Sequence, residues 1–499
     1  MVELKRHLMR AQMALHLLAD LSYTFTEKYL ETITRLNIIG KKMNDINKVY
    51  EILRATLADR CSRGESVRDL HSRDSAYATP RMPDMVVFPQ SEEEVCQIVK
   101  TCNEHSCPVV PFGVGSSLEG QVVPVNGGVS IDFSRMNKII SVESEDLIAT
   151  VEPGVTRVQL NEYLRDQGLM FTVDPGADAS IGGMCATRAS GTNSVRYGTM
   201  RENVLALRVA LPDGRLITTG SSAPKSASGY DLTRLFVGSE GTLGVITQIK
   251  LRLFGQPDSI RSSSCIFDEI SDAVNTVILA IQSGIPIARV ELLDETQMRG
   301  MNNYNKDLEF PEKPHLFLEF HGSSASTQEQ IDDFKSIAEE YGAYNFDWAT
   351  KTEERNRLWK ARHDAYYAAK SLMPGGLSLV TDVCVPISAL SASIEKTKKA
   401  IEASGLLAPI AGHVGDGNYH LMILFDGESE DGLSRAKNLA SEVNEIALDF
   451  GGTVTGEHGI GSGKRSYMER EHGEAWSIMG NIKELFDPNN IMNPGKLVP

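Results

Sequence analysis

The 499-residue sequence predicts a protein of mixed helix and strand, of the α+β or α/β class, with two or three packed units. Two observations support this prediction. From about residue 80 onward, runs with helical periodicity alternate with short runs rich in β-branched residues. The chain is also longer than a single hydrophobic core usually accommodates. We therefore expect at least two domains that contain a sheet.

Composition divides the chain into five segments. Residues 80–257 and 258–450 are expected to form the two domains, because the pattern of strands and helices changes at their boundary. Residues 44–79 are expected to form a helical lead-in, and residues 451–499 supply a loop, a helix and a closing turn. Residues 1–43 form an N-terminal extension.

That extension begins with an amphipathic, basic stretch. Lys5, Arg6 and Arg10 are accompanied by one acid, Glu3, before Asp20. This composition is typical of a mitochondrial presequence. A docking helix or an upstream start codon would explain it equally well. We expect a mitochondrial location if the source is a eukaryote and a cytoplasmic one otherwise.

The first domain begins with clear boundary signals. A capping box of Ser91 and Glu94 predicts the start of a helix, followed by a short strand and a Gly-Ser loop, in SEEEVCQIVKTCNEHSCPVVPFGVGSSLEG. The runs GGVSIDF and LIATVEPGV are typical of strands, and the helix VQLNEYLRDQG should end at Gly168. Farther along, LALRVALPDGRLITTG predicts two strands about an Asp-Gly turn.

Two glycine-rich stretches show a different pattern. Residues 173–200 are rich in Gly and Ser without periodicity, so we expect a long loop, and a loop of that length inside a domain is usually functional. The stretch FVGSEGTLGVITQIKLRL predicts a turn into a strand in which Val245, Thr247, Ile249 and Leu251 share one face.

The stretch HVGDGNYH in the second domain places two histidines seven residues apart. Asp-Gly between apolar runs is the strongest short signal for a two-residue hairpin turn. With Asp416 and Gly417 as that turn, His413 and His420 would oppose each other with Cβ atoms about 4.5–5.5 Å apart. Two imidazoles at this distance can hold one metal ion, although a polar pair on a solvated hairpin has the same pattern.

Charge and cysteine content exclude several classes of protein. The net charge is −16, from 50 Lys and Arg against 66 Asp and Glu, which argues against nucleic acid as a partner. The seven cysteines form no CxxC motif and no zinc or iron–sulfur spacing, so we expect reduced thiols. No apolar run approaches about 18 residues, so no transmembrane segment is expected.

Three glycine-rich loops occur in the first domain, with the sequences PFGVGSSLEG, PGADASIGG and GSEGTLGVI. Such loops leave backbone N–H groups free to bind phosphate and let the backbone approach a pyrophosphate closely. None of the three is a dinucleotide fingerprint or a P-loop. A tight turn at a sheet corner is an alternative for the third loop, but together the loops favour a phosphate-bearing ligand.

These loops resemble the flavin domain of the vanillyl-alcohol oxidase and p-cresol methylhydroxylase family. Within that family, the chain resembles the FAD-linked 2-hydroxyacid branch of D-lactate dehydrogenases (cytochrome) from about Pro80 to Pro499. The most specific blocks are PFGVGSSLEG, SIGG, RYGT, VGSEGTLGVIT, LWKARHDAYYA, HVGDGNYH, TGEHGIGSGKR and NPGK. The resemblance implies the α+β class, with a two-part FAD-binding domain, a ferredoxin-like sheet in the substrate domain and a C-terminal segment that returns to the flavin.

The resemblance also implies one FAD per chain. The residues expected at its pyrophosphate are Gly113, Gly115, Ser116 and Ser117. Those expected beside its ring are Pro175, Ser180, Gly182, Gly183 and Asn493. The remaining residues that the motifs assign to the cofactor are Pro111, Gly176, Gly191, Gly198, Gly241 and Ile246. Relatives with covalent flavin carry a histidine in the first loop, where this chain has serines, so we expect FAD to be non-covalent.

In this branch of the family, the two histidines of the HxGDGNxH block and the glutamate of GEHG resemble a divalent metal site, which maps onto His413, His420 and Glu457. Two imidazoles and a carboxylate with open positions suit Zn²⁺ or Mn²⁺. A 2-hydroxyacid can chelate such an ion through its carboxylate and hydroxyl, and the ion acidifies the hydroxyl.

His458, next to the glutamate, is the expected general base. A loop histidine that only forms hydrogen bonds is the alternative.

Arg362 and Tyr366 complete the expected catalytic set. They lie one helical turn apart in LWKARHDAYYA, on a predicted helix, and Arg362 would bind the substrate carboxylate. A surface ion pair is the alternative for Arg362.

Val380 and Met422 argue for a small substrate. In relatives that act on 2-hydroxyglutarate, polar groups at these two positions hold the second carboxylate. Apolar side chains there would leave a buried carboxylate unpaired, which is costly. The expected reaction is FAD-dependent oxidation of D-lactate, or a related small aliphatic D-2-hydroxyacid, to the 2-oxoacid, with pyruvate as the product from D-lactate.

Several alternatives remain open. Within this chemistry, they are a glycolate oxidase subunit and a D-2-hydroxyglutarate dehydrogenase. The electron acceptor is not NAD and remains open among cytochrome c, a quinone and an electron-transfer flavoprotein. A hydrolase that uses the hairpin metal without flavin would be colourless. A non-catalytic flavin or metal-binding module agrees poorly with a base beside a chelating site.

Overall fold

The computed structural model of the chain describes residues 45–75, 79–306, 309–349 and 351–499. The expectations for residues 1–43 lie outside these ranges. Of the helices within the ranges, none has both the length and the apolar character of a membrane-spanning segment. All seven cysteines are described, and each is a free thiol.

The first part of the chain combines short strands with short helices. Its strands are β1 (Cys61–Ser62), β2 (Met85–Val87), β3 (Val109–Phe112), β4 (Val129–Asp132), β5 (Ile139–Glu143), β6 (Ile148–Val151), β7 (Leu169–Met170), β8 (Val204–Ala210), β9 (Leu216–Thr218), β10 (Val245–Arg252) and β11 (Phe254–Gly255). Its α-helices are α1 (45–57), α2 (Glu65–Leu70), α3 (Glu92–Glu104), α4 (Arg157–Leu164), α5 (Ile181–Thr187), α6 (Ser194–Tyr197), α7 (Met200–Asn203) and α8 (Leu232–Phe236).

These strands form two sheets and a small strand pair. The first sheet has the order β1-β2-β4-β3, and β2 and β3 run parallel to β4. The second sheet is antiparallel with the order β5-β6-β10-β8-β9, and β7 pairs with β11. Val245, Thr247, Ile249 and Leu251 of β10 are all buried, which confirms their predicted common face.

The second part of the chain is built around one large antiparallel sheet. Its strands are β12 (Ser259–Ile266), β13 (Ile287–Leu293), β14 (His315–Gly322), β15 (Tyr344–Ala349), β16 (Leu377–Val380), β17 (Val383–Cys384), β18 (Ile410–Gly412) and β19 (Asn418–Phe425). The sheet order is β15-β12-β14-β13-β18-β19-β16, and β17 also pairs with β19. The α-helices are α9 (Ile270–Gln282), α10 (Glu295–Tyr304), α11 (Ser324–Glu340), α12 (Thr352–His363), α13 (Ala365–Lys370), α14 (Leu390–Ser404), α15 (Gly432–Asp449), α16 (Met468–His472) and α17 (Glu474–Phe486). The α+β class is thereby confirmed.

The two faces of the large sheet have different roles. Tyr419, Leu421 and Ile423 of β19 are fully buried in a core that also contains apolar residues of α9, α11, α14 and α15. Because side chains alternate along a strand, His420 and Met422 point to the opposite face. That face lines a cavity of about 1350 Å³, so the alternation separates the residues of the core from those of the site.

The C-terminal segment returns to the first sheet. The backbone N–H of Val109 donates to the Ile491 carbonyl at 2.7 Å, and the N–H of Asn493 donates to the Val109 carbonyl at 2.7 Å. The Lys483 ammonium, which is buried, donates to the Thr242 carbonyl at 2.9 Å. These contacts fix the end of the chain beside the first and third glycine-rich loops.

The predicted helix boundaries are largely confirmed. Ser91 is the N-cap of α3, and its hydroxyl accepts the N–H of Glu94 at 3.3 Å. The reciprocal half of the capping box is absent, because the Glu94 carboxylate instead accepts hydrogen bonds from Arg60 and from the N–H of Gln90. Gly168 ends its helix in the left-handed conformation, with φ of 67°.

The expectation of a continuous loop over residues 173–200 is wrong, because α5 and α6 form within it and α7 begins at its last residue. Helix α5 buries Ile181, Met184 and Cys185, which are spaced as on one helical face. The segment is too short and too rich in glycine for this spacing to appear as a periodic pattern in the sequence.

Candidate active site

One cavity of about 1350 Å³ is lined by residues from both parts of the chain. It is larger than the roughly 300–1,000 Å³ of a typical small-molecule pocket, so it has room for a large cofactor as well as a small substrate. The expected cofactor residues that line it are Pro111, Gly113, Gly115, Ser116, Ser117, Pro175, Gly176, Ser180, Gly182, Gly183, Gly241, Ile246 and Asn493.

The glycine-rich part of this cavity fits a flavin dinucleotide. A Cβ atom on Gly113 would lie 2.2 Å from Ser180 Oγ, so the first two glycine-rich loops approach each other closely at this point. Within the described chain, the backbone N–H groups of residues 114–118 donate no hydrogen bond, which leaves them for a phosphate. The Oδ1 atom of Asn493 is buried, and Asn493 lines the same cavity; among the described residues, this oxygen has no hydrogen-bond partner. A ligand with hydrogen-bond donors would satisfy it.

Gly191 and Gly198 do not line the cavity, and their assignment to the cofactor stays a prediction. A Cβ atom on Gly191 would lie 2.4 Å from the backbone of Asp174, so this glycine allows two chain segments to pack closely. Gly198 ends α6 with φ of 75°, a conformation that favours glycine. Both glycines shape the segment behind the cavity wall.

The three expected metal ligands meet at one point of the cavity. Glu457 Oε1 lies 3.3 Å from His413 Nε2 and 3.4 Å from His420 Nε2. Metal–ligand bonds of about 2.0–2.2 Å at a tetrahedral angle place two ligand atoms roughly 3.3–3.6 Å apart. Each histidine therefore lies at a distance from Glu457 that suits two ligands of one divalent ion, whereas the cluster of described residues whose ligand atoms all lie within 4.8 Å of one another contains His420 and Glu457 but not His413.

The outward nitrogen of each imidazole is also occupied. His413 Nδ1 lies 2.6 Å from Glu291 Oε1, and His420 Nδ1 lies 3.1 Å from the Thr381 carbonyl. Partners of this kind fix the ring orientation of metal-binding histidines and direct their Nε2 atoms to the metal. Burial opposes a charge on His413, but Glu291 and Glu457 raise its pKa well above the ordinary value. The site therefore attracts a cation.

The predicted hairpin register is wrong. In the structure, Ala411 rather than His413 is the partner of His420, and residues 413–417 form a wider turn. The turn closes because the His413 carbonyl accepts the N–H groups of both Asp416 and Asn418. The two imidazoles nevertheless touch, with ring centroids 5.4 Å apart.

Asp382 supports the site from behind. Its fully buried carboxylate accepts the N–H groups of Glu457 and His458 at 2.9 and 2.7 Å, the Thr455 hydroxyl at 2.7 Å and the Asn418 amide at 2.8 Å. Asp382 also belongs, with His420, Glu457 and His458, to a cluster whose ligand atoms lie within 4.8 Å of one another. Because four donors already occupy this carboxylate, we assign it the role of an anchor for the loop rather than of a metal ligand.

His458 has the environment expected of a neutral base. Burial lowers its pKa to about 4, so the ring is uncharged at neutral pH. Its Nδ1 atom is buried, has no hydrogen-bond partner in the part of the chain that the structure describes, and lies 4.0 Å from Asp382 Oδ2. The ring lines the cavity beside His420.

Arg362 and Tyr366 both line the cavity but do not share a helix. Helix α12 ends at His363 and α13 begins at Ala365. The Arg362 guanidinium donates through Nε and Nη2 to Oε2 of the fully buried Glu291. Tyr366 is 40% exposed, and its hydroxyl lies 3.1 Å from Ser378 Oγ, so it stands near the cavity entrance.

Val380 and Met422 are partners across β16 and β19, and both side chains line the cavity. Met422 follows His420 by two residues on the same strand face. An apolar pair therefore borders the space next to the histidine and glutamate cluster.

Glu240 joins the third glycine-rich loop to the loop that carries Glu457 and His458. Its buried carboxylate accepts the N–H groups of Ile460 and Gly461 at 2.7 and 2.8 Å, and burial raises its pKa to about 7. The Asn493 amide donates to the Glu240 carbonyl at 2.7 Å. The flavin loops and the histidine–glutamate cluster are thus connected through one side chain.

Four residues of this site were not found from the sequence: Ser190, Glu240, Glu291 and Asp382. Two of them left a signal, because Glu291 and Asp382 are isolated acids in apolar runs, IARVELL and LVTDVCV. Glu240 lies in the third glycine-rich block, but the sequence of that block does not indicate that its carboxylate binds the loop that carries Glu457 and His458. The hydroxyl of Ser190 donates to Glu457 at 2.8 Å; Ser190 lies in the stretch 173–200 that the sequence marked as functional, but nothing there distinguished this serine from its neighbours.

Comparisons with known proteins agree with this geometry. Residues 83–220 match the model of a FAD binding domain, and residues 256–497 match the C-terminal domain of FAD linked oxidases. The probable mitochondrial D-lactate dehydrogenase of Danio rerio is 48% identical over 458 residues, covering 91% of this chain and 92% of that protein. The mitochondrial D-lactate dehydrogenase (cytochrome) of Arabidopsis thaliana is 47% identical over 451 residues, covering 90% of this chain and 79% of that protein.

The fold is also found among solved structures. The crystal structure of p-cresol methylhydroxylase with substrate bound superposes with a TM-score of 0.73 at 20% identity, covering 91% of this chain and 96% of that one. At this identity, the similarity shows a common fold.

Proposed function

Because the chain belongs to the FAD-linked D-lactate dehydrogenase (cytochrome) family, we propose that it oxidises D-lactate, or a related small aliphatic D-2-hydroxyacid, to the 2-oxoacid. The single observation that carries this proposal is the convergence of His413, His420 and Glu457 in the same cavity as the glycine-rich loops. A chelating site and a flavin cradle in one cavity are what a metal-assisted 2-hydroxyacid oxidation requires.

Two bound groups supply chemistry that side chains cannot. When bound, FAD would supply a hydride acceptor, and a divalent ion such as Zn²⁺ or Mn²⁺ would supply a Lewis acid at the substrate hydroxyl. The glycine-rich loops and Asn493 would hold the flavin, and His413, His420 and Glu457 would hold the ion.

His458 takes the hydroxyl proton in this proposal. Its neutral ring can accept a proton, and we assign Nε2 as the acceptor because Nδ1 is enclosed beside Asp382. A proton on Nδ1 would face the Asp382 carboxylate. The negative charge of this carboxylate would stabilise the positively charged ring after His458 has taken the substrate proton.

Arg362 orients the substrate carboxylate. Glu291 occupies Nε and Nη2 of the guanidinium, which leaves Nη1 for a ligand in the cavity. The same glutamate contacts His413, so the arginine and a metal ligand are fixed by one buried carboxylate. Val380 and Met422 then border the side chain of the substrate and favour a small apolar one.

The electron acceptor is proposed to be cytochrome c or another non-NAD acceptor, and the location mitochondrial, since the relatives in Danio rerio and Arabidopsis thaliana are named as mitochondrial and the latter as cytochrome-linked.

The visible spectrum of the purified protein tests the function. We expect the absorbance of oxidised flavin, and its loss when D-lactate is added without oxygen. L-lactate is the matched control, because it differs only in configuration and should leave the spectrum unchanged over the same time. A colourless protein, or a flavin that D-lactate does not reduce, would refute the proposal.

A further inference from the structure

The Ser190 hydroxyl donates to Glu457 Oε2 at 2.8 Å. The two residues are 267 positions apart, and they belong to different parts of the fold. Ser190 lies between α5 and α6, behind the flavin loops, whereas Glu457 lies in the C-terminal segment. This hydrogen bond therefore brings the flavin side of the molecule into contact with the proposed metal site.

The two oxygens of Glu457 have separate partners. Oε1 faces the Nε2 atoms of His413 and His420, whereas Oε2 faces Ser190. A carboxylate can bind an ion through one oxygen or through both. A hydrogen bond to Oε2 turns that oxygen away and presents Oε1 alone.

We propose that Ser190 is a positioning residue that makes Glu457 a one-oxygen ligand and thereby sets the metal affinity of the site. This inference rests on the metal part of the proposed function. Among the described residues, no other side-chain donor is recorded on Oε2. Without the serine hydroxyl, Oε2 would be free to rotate toward the ion and change the ligand arrangement.

The backbone of Ser190 is fixed on both sides. The Ala189 carbonyl accepts the N–H of Met200 at 3.0 Å, and the N–H of Gly191 donates to Ser194 Oγ at 3.0 Å. Gly191 packs so closely on Asp174 that any side chain there would displace the segment. This packing gives Gly191 a role in the site although it does not line the cavity, because it keeps Ser190 within reach of Glu457.

The test is a titration of the full-length, FAD-loaded protein with Mn²⁺, followed by electron paramagnetic resonance, which detects the free aqueous ion. Ser190→Ala removes the donor, and Ser190→Thr keeps a hydroxyl at the same position. Ser462→Ala is the matched control, because Ser462 also lines the cavity and its side chain has no recorded hydrogen bond among the described residues.

We expect Ser190→Ala to bind Mn²⁺ about 10–100-fold more weakly than the wild type, the usual cost of removing a partner of a metal ligand. Ser190→Thr should recover most of the affinity, Ser462→Ala should match the wild type, and all three variants should retain FAD.

A wild-type affinity in Ser190→Ala would overturn the inference while leaving the metal site in place. Joint loss of FAD and Mn²⁺ would also overturn it, because the effect would then be general unfolding of the segment. A wild-type protein that binds no Mn²⁺ would instead refute the metal part of the proposed function.

Discussion

His420 and His458 stack face to face, with ring centroids 5.3 Å apart and ring planes 15° apart. One ring is a proposed metal ligand and the other the proposed base, so the two proposed functions lie side by side. Asp382 lies behind both rings, 3.6 Å from His420 Nδ1 and 4.0 Å from His458 Nδ1. The position of the base relative to the ion is therefore determined by packing as well as by the loop.

Replacement of the base tests this arrangement. His458→Asn should preserve substrate binding but slow flavin reduction by about two to four orders of magnitude, the usual effect of losing a general base. Stopped-flow bleaching of the flavin measures the rate, and its dependence on substrate concentration gives the binding constant. His472→Asn is the control, because His472 is a partly exposed residue of α16 outside the cavity lining. A His458→Asn variant that reduces its flavin rapidly would remove His458 from the mechanism.

The metal ligands are expected to act together. Chelation should abolish substrate oxidation while FAD remains bound, because the proposed ligands lie on the substrate side of the cavity. His413→Ala and His420→Ala should lower metal content and activity to the same extent, since ligands of one ion are strongly coupled. Elemental analysis and the flavin spectrum, recorded on the same sample before and after chelation, measure both. Full activity in metal-free protein would contradict this prediction.

Local signals in the sequence predicted local structure well. The N-cap at Ser91, the left-handed Gly168 and the buried face of β10 depend on residues close in the chain, and all three are confirmed. The contacts that orient the site are not local. Glu291 reaches His413 across 122 positions, and Ser190 reaches Glu457 across 267. Such pairs are set by how separate elements pack, which no spacing in the sequence records.

The hairpin shows the same limit at short range. The Asp-Gly pair correctly indicated a turn, and Gly417 has the expected positive φ of 79°. Asp416 does not share that conformation, because the turn is closed by two hydrogen bonds to the His413 carbonyl instead of by a two-residue loop. The histidines were therefore correctly predicted to be neighbours, but for the wrong reason.

The flavin is expected to be released by acid. In related proteins with covalent flavin, the flavin is attached to a histidine of the first glycine-rich loop. Here that loop contains no histidine, and Ser116 and Ser117 line the cavity instead. After acid precipitation, the yellow colour should appear in the supernatant and the pellet should be colourless. Flavin that stays with the precipitated protein would disprove the non-covalent assignment.

The last prediction concerns the configuration and size of the substrate. The proposed ion and Arg362 fix the carboxylate and hydroxyl of a 2-hydroxyacid, and hydride transfer fixes the direction of the C2 hydrogen. Three of the four substituents at C2 are then assigned, so the side chain must take the remaining direction and only one enantiomer fits.

Val380 and Met422 border that direction. An unpaired carboxylate buried against them would cost more than the roughly 2–7 kcal/mol of an unpaired neutral polar group, and each 1.36 kcal/mol corresponds to roughly a tenfold change in rate. D-lactate should therefore reduce the flavin at least about a hundredfold faster than D-2-hydroxyglutarate, and L-lactate should be similarly poor. Stopped-flow bleaching with the three acids at equal concentration measures these ratios. Met422→Leu is a useful control, because it keeps an apolar side chain of similar volume and should preserve the preference. Comparable rates for D-lactate and D-2-hydroxyglutarate would show that another part of the cavity accommodates the second carboxylate, and the argument from Val380 and Met422 would fail.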